Sequence, residues 1–202
     1  MKKILLIVII LSHVAVAIGS EVESPEKRHE RIQQERTQAL MDKLEVTPMN
    51  NKNAFHPDKP IFSKECIKGV TLHQIWEPEG CLSFEGLYFR INGQTNAHVE
   101  ILYRDSQKTA QLDMFGDLAG CNLPLQALVV AYSKVSDGPG DLCLALVVKL
   151  DSNKTLEECT PRVFFTRANI RVSVISDVPE ISAMEVAREV DKILIEAIQK
   201  AK

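Results

Sequence analysis

Clustered positive charge is missing from this chain. Its 24 lysines and arginines are outnumbered by 27 aspartates and glutamates, and the formal charge is −3. Nucleic-acid affinity rests mainly on massed Lys and Arg, so nucleic acid is not expected among its partners. Metal- and redox-type cysteine spacing is absent too. None of the five cysteines forms a CxxC pair, which removes a thioredoxin-like site and a paired zinc knuckle. A phosphate cradle is also lacking. Gly138-Pro139-Gly140 leads into an apolar run rather than a helix, Pro139 has no N–H to donate, and position 143 is Cys where GxGxxG needs Gly. Asp137-Gly138-Pro139-Gly140-Asp141 is therefore read as an exposed tight turn. Glu157 and Glu158 are adjacent, so they point apart and cannot flank one gap as an acid/base pair. There is no internal repeat and no low-complexity tract. No catalytic residue, no cofactor-binding residue, no metal ligand and no cofactor is assigned.

The N-terminus carries the strongest positive signal. Lys2 and Lys3 precede the apolar run 4–11, and small residues follow, with cuts available after Ala17 and after Gly19. This is the layout of a secretory signal peptide over residues 1–19. Sixteen residues separate Lys3 from Ser20, short of the roughly twenty that span a bilayer. Membrane contact is thus expected only through the leader, if it stays uncleaved. Its removal would take the formal charge from −3 to −5. The expected location is periplasmic or secreted.

Residues 20–46 read as a charged spacer helix. Ser24 is the cap, Pro25 the first helical position, and a thin apolar stripe runs through Ile32, Leu40, Met41 and Leu44. Sustained heptads are absent, so a coiled coil is the lesser reading. Residues 47–60 hold three prolines and three asparagines without periodicity and read as a linker. Residues 61–202 then form a single domain. Strands are expected over 67–76, 81–91, 97–104, 125–132, 142–150, 162–167 and 169–176, with helices over 106–120 and 180–202. The Asn92-Gly93 pair marks a tight turn. Apolar residues at both parities of 142–150 predict a strand covered on both faces in the middle of the sheet. In the last helix Met184, Ala187, Val190, Leu194, Ala197 and Ala201 recur at spacings of three and four. The fold class is α+β: a largely antiparallel sheet of about six strands, packed by the C-terminal helix, with a separate N-terminal helix.

In an oxidising compartment the cysteines point to disulfides. The candidates are Cys121–Cys143, tying a helix end to the sheet, and Cys66–Cys81, closing the first hairpin, with Cys159 as the leftover thiol. The plainer reading of Cys143 is a buried small apolar side chain. A cysteine nucleophile would need one of His29, His56, His73 or His98 nearby, and a metal site could draw on His73, His98 and Glu100; no motif points to either. Trp76, Phe84, Tyr88 and Phe89 read as core rather than a sugar or base platform. Arg162, Arg167 and Arg171 read as solvated turn charges or, more sharply, an anion site. Asn153-Lys154-Thr155 matches the glycosylation sequon and marks a surface loop.

These observations lead to an exported, non-enzymatic domain that binds a protein or envelope partner. The alternatives are a small-ligand carrier, with a pocket between the sheet and the C-terminal helix, and a hydrolase or transferase built on a Cys-His pair. The oligomeric state is left open.

Overall fold

The computed structural model describes residues 23–51, 54–62, 72–77, 84–91, 94–120, 129–149, 162–176 and 182–201. Residues 1–35 form one compact unit and Arg36–Lys202 a second. Helix α1, Pro25–Lys43, runs across this division. In the first unit Ser24 caps the helix as expected, its Oγ accepting the Lys27 N–H at 3.3 Å. Arg31 lies between Glu23 and Glu35 on the exposed surface. That hydrogen bond to Arg31 holds the Glu23 carboxyl below its usual range. Among the described residues no helix is long and apolar enough to cross a membrane.

The second unit is α+β. Strands β1 (Leu72–Glu77), β2 (Phe84–Ile91), β3 (Gln94–Tyr103), β4 (Val129–Lys134), β5 (Leu142–Lys149), β6 (Arg162–Arg167) and β7 (Ile170–Ser176) form one antiparallel sheet. Helix α2 spans Gln107–Gly120 and α3 spans Ala183–Lys200. The strand order is β1-β2-β3-β7-β6-β5-β4, seven strands where about six were expected. The middle strand is β7, not β5, which lies next to the β4 edge. The reason is a long-range pairing: β3 bonds to β7, with Val99 opposite Val174 and Ile101 opposite Val172. The loop after β2 is shorter than expected, because Ile91 already pairs with Gln94 across Asn92-Gly93.

Alternation along the strands sorts side chains to two faces. One face carries Val99, Ile101 and Tyr103 of β3, Ile170, Val172 and Val174 of β7, Val163 and Phe165 of β6, and Cys143 of β5. Helix α3 covers it with Ala183, Val186, Ala187, Val190 and Leu194. This helix begins at an N-cap, Ser182 Oγ accepting the Glu185 N–H at 3.3 Å. The opposite face carries Leu142, Leu144 and Leu146 of β5 and Phe164 of β6, covered by Met114, Phe115 and Leu118 of α2. Strand β5 is thus covered on both faces, as its apolar run predicts.

Two segments are more integrated than their sequences indicate. The last turn of α1 is not a separate spacer: Leu40 and Met41 belong to the α2-side core, with Leu44 and Val46 packed beside them. The stretch read as a linker supplies Phe55, which packs against the α3-side core that Phe62, 2% exposed, joins at the start of the expected domain.

Candidate functional site

The site is built around the turn joining β6 and β7. Arg167 pairs with Ile170, leaving Ala168 and Asn169 as a two-residue loop. Ala168 takes φ 50, a left-handed conformation that costs an alanine roughly 1–2 kcal/mol. The turn is held from several directions. Asp141 Oδ2 accepts the Ala168 N–H at 2.7 Å and the Gln107 amide at 2.9 Å. Arg167 forks onto Asp191 at 2.8 and 2.6 Å and reaches Asp141 at 2.8 Å. The hydrogen bond to Asp191 raises the Arg167 pKa above its usual value. Asp191 is a carboxylate inside the apolar stripe of α3, only 7% exposed. It also accepts the Gly140 N–H at 2.9 Å.

This network explains the glycines of the 137–141 loop. Gly140 has φ +78, and a Cβ there would lie 2.4 Å from the Thr166 carbonyl. A Cβ on Gly138 would lie 2.5 Å from the Cys143 Cβ. The loop is not simply an exposed turn, since Pro139 between them is buried. Glycine is needed here for close approach of backbone to β5 and β6.

Asn169, with 0% exposure, organises the other side of the turn. Its Oδ1 accepts the Phe55 N–H at 2.7 Å and its Nδ2 donates to the Phe55 carbonyl at 3.1 Å. The same Nδ2 donates to the Arg104 carbonyl. One amide therefore acts as a strand edge for a segment that has no strand of its own. Upstream, the Met49 N–H donates to Gln111 Oε1 at 2.8 Å, and Asn51 accepts from the Gln107 N–H at 3.3 Å. The Phe55 ring tilts against Tyr103, with centroids 6.3 Å apart.

Between this strapped segment, the turn and the end of α3 lies an open cleft of about 480 Å³. Asn51, Ala54, Phe55, His56, Ala168, Ile198 and Ala201 line it. No carboxylate, lysine or arginine is among them. His56 is the titratable side chain of this lining, and it is exposed. The cleft can hold an uncharged group and hydrogen-bond its rim. Among the described residues its lining lacks the paired titratable groups that acid/base or nucleophilic chemistry uses.

The residues singled out from sequence fall elsewhere. Cys143 is a free thiol, 3% exposed, and burial pushes its pKa up to about 12, so it stays protonated at neutral pH. Cys66, Cys81, Cys121 and Cys159 lie outside the described residues, and so does the Cys66–Cys81 pairing; the expected Cys121–Cys143 bridge is not formed, since Cys143 is a free thiol. Also outside the described residues are Glu157, Glu158, Asn153 and the side chains of His73, Trp76, Phe84, Tyr88 and Phe89. His98 sits on β3 with its side chain half-buried. Arg167 and Arg171 are neither solvated turn charges nor an anion site. Arg167 is held by Asp141 and Asp191. Arg171, 5% exposed, lies among Asp117, Asp113 and Glu100. Carboxylates from α2 and β3 already take its charge. Asp113 also pairs with Arg104. Arg162 is half-buried on β6. Among the described residues no group of His, Cys, Asp and Glu could hold a metal ion.

Asn169, Asp191, Asp141 and Phe55 were not legible as site residues. Asp191 had one visible signal, an acid standing inside an otherwise apolar helical stripe. Comparison with protein-family models, with curated proteins and with solved structures gives no match.

Proposed function

We propose that this chain is an exported, non-enzymatic domain that binds a protein or envelope partner, with the cleft beside Phe55 as its contact point. The observation that carries this reading is an open cleft whose described lining holds no carboxylate, lysine or arginine and whose walls are fixed by Asn169 and Asp141. Recognition sites are usually concave and largely preformed, and this cleft is open with walls held by the hydrogen bonds of the β6–β7 turn. The described ion clusters are spent internally and offer the solvent little unpaired charge. Export rests on the leader-like residues 1–19, and oxidation of the Cys66–Cys81 pair belongs to the same reading.

The test is site-directed crosslinking. A photoreactive residue is placed at Ala54 or Ala201 and, as a control, at Lys108 on the exposed side of α2, and each protein is incubated with envelope extract. The expected result is one partner joined from the cleft positions and not from Lys108. Turnover in a hydrolase and transferase screen, with no cleft-specific crosslink, would sink the proposal.

A small-ligand carrier is the second reading, favoured by volume alone: about 480 Å³ lies in the range that small molecules occupy. Its site is not the pocket expected between sheet and C-terminal helix, because Val186, Val190 and Leu194 fill that interface. A Cys-His enzyme gains no support from Cys143, a buried and protonated thiol.

A further inference from the structure

We infer that Met49 is an oxidation site, taken to the sulfoxide by a peroxide, and that its sulfoxide oxygen tightens the strapped segment through Gln107. Nothing in this depends on what the cleft binds. Among the described residues Met49 is the most exposed large apolar side chain, at 42%. Met41 and Met114 are buried, at 4% and 0%, and Met184 packs half-buried against the α3-side core. An oxidant arriving from water therefore meets Met49 first.

The group that faces its sulfur sets Met49 apart from an ordinary surface methionine. Gln107 and Gln111 lie one turn apart on α2, at 5% and 1% exposure, and both hold the strapped segment. Gln111 Oε1 accepts the Met49 N–H at 2.8 Å, and the Gln107 backbone N–H donates to the Asn51 carbonyl at 3.3 Å. The Gln107 side chain divides its two amide hydrogens between two partners. Asp141 Oδ2 takes one at 2.9 Å, and Met49 Sδ lies 3.9 Å from the same nitrogen. The carboxylate fixes which end of the amide is nitrogen, because an ionised carboxylate only accepts.

A thioether is a weak acceptor, so the thioether form leaves a buried donor with a poor partner. Oxidation reverses this. Sδ attacks one oxygen of hydrogen peroxide and the O–O bond breaks. The proton on the transferred oxygen passes to the departing hydroxide, which leaves as water. Sulfur loses two electrons and the peroxide gains them. The sulfoxide is polar, and its oxygen is bonded to the atom that Gln107 already faces. A continuous hydrogen-bonded chain then runs from Asp141 through Gln107 to the strapped segment. The change is reversible, since sulfoxide reductases return the thioether.

The test treats the full chain with limiting hydrogen peroxide, maps oxidised residues by peptide mass spectrometry, and follows the product by NMR and amide hydrogen exchange. Met49 should oxidise before Met41, Met114 and Met184. The Gln107 side-chain N–H resonance should move downfield. Exchange of the residue-49 N–H should slow roughly three- to tenfold, the worth of one hydrogen bond. Met49→Leu, which keeps the bulk and offers no acceptor, should fold with an unchanged melting temperature and show neither response to peroxide. Treating the oxidised protein with a methionine sulfoxide reductase should return both readings to their starting values. Earlier oxidation of another of these methionines would overturn the inference. So would a Met49 sulfoxide that leaves the Gln107 resonance and the residue-49 exchange unchanged, or a response that persists in Met49→Leu or after reduction.

Discussion

The two faces of the central sheet are built from the same strands and hold together by different physics. Along β7, Ile170, Val172 and Val174 face α3 in a hydrocarbon core. The alternate residues Arg171 and Ser173 are just as buried, at 5% and 2% exposure. They meet Glu100 of β3, and Arg171 also meets Asp113 and Asp117 of α2. On the α3 side, stability comes from apolar area removed from water and is tolerant of exact partner. On the α2 side, buried charge stabilises only while Arg171 keeps carboxylate partners, because an unpaired ion cannot recover its lost hydration. Along β7 the α3 face contributes apolar burial, whereas on the α2 face the ionic patch lies on the same side of the sheet as the apolar cluster of Leu142, Leu144, Leu146 and Phe164 and ties α2 to one register over β7 and β3.

Three substitutions separate these roles. Phe165→Ala on the α3 face should have the largest effect, about 3–5 kcal/mol, because it removes a fully buried ring and leaves a cavity. Urea denaturation would show it as a lower midpoint at unchanged slope; a loss below 1 kcal/mol would mean that this face is not the main source of stability.

Arg171→Met should cost less, about 2 kcal/mol, since its carboxylate partners keep part of their hydration. Adding Asp117→Leu should restore part of that loss, as removing both members of a buried pair is cheaper than removing one. A double variant that is as unstable as the sum of the singles would break the pairing argument.

The smallest effect belongs to Asp117→Asn, and its sign follows from proton linkage. Burial raises the Asp117 pKa above the ordinary 3.8, more than Arg171 lowers it. The folded state then holds this proton more tightly than the unfolded state does. Its contribution is greatest below the unfolded value and is lost as pH rises through the folded one. The Asn variant should therefore match or exceed the parent at pH 7, by less than about 1 kcal/mol, with the gap narrowing on acidification toward pH 3. An Asn variant that is clearly less stable at pH 7 would show the Arg171–Asp117 pair to be net stabilising.

Much of the architecture is written in local periodicity. The alternation in 169–176 and the three-and-four spacing in 180–202 gave β7 and α3 because each element buries one regular face. Pairing order was not legible: nothing local in β3 reveals that it will meet β7, 71 residues further on from Glu100 to Arg171. The environment of Arg171 was hidden for the same reason, although Asp113 and Asp117, spaced i and i+4, did mark an acidic edge on α2. Residues 47–60 misled because periodicity detects regular elements only. Phe55 is half-buried on a stretch that has none, its backbone held by the Asn169 side-chain amide in place of a ladder. The cleft shares that blind spot, being assembled from a strap, a turn and a helix end.

The Asn169 amide also sets a clock. Its partner at Phe55 lies 114 residues earlier in the chain. At a synthesis rate of about 5–20 residues per second, Phe55 waits roughly 6–23 seconds before its anchor exists. Throughout that interval the Phe55 end of the strap lacks its anchor, although Gln107 and Gln111 can already hold Met49 and Asn51 upstream. That end, among the first parts of the domain to be made, is thus among the last to be secured, and a chain that ended before the final hairpin would leave it unfastened.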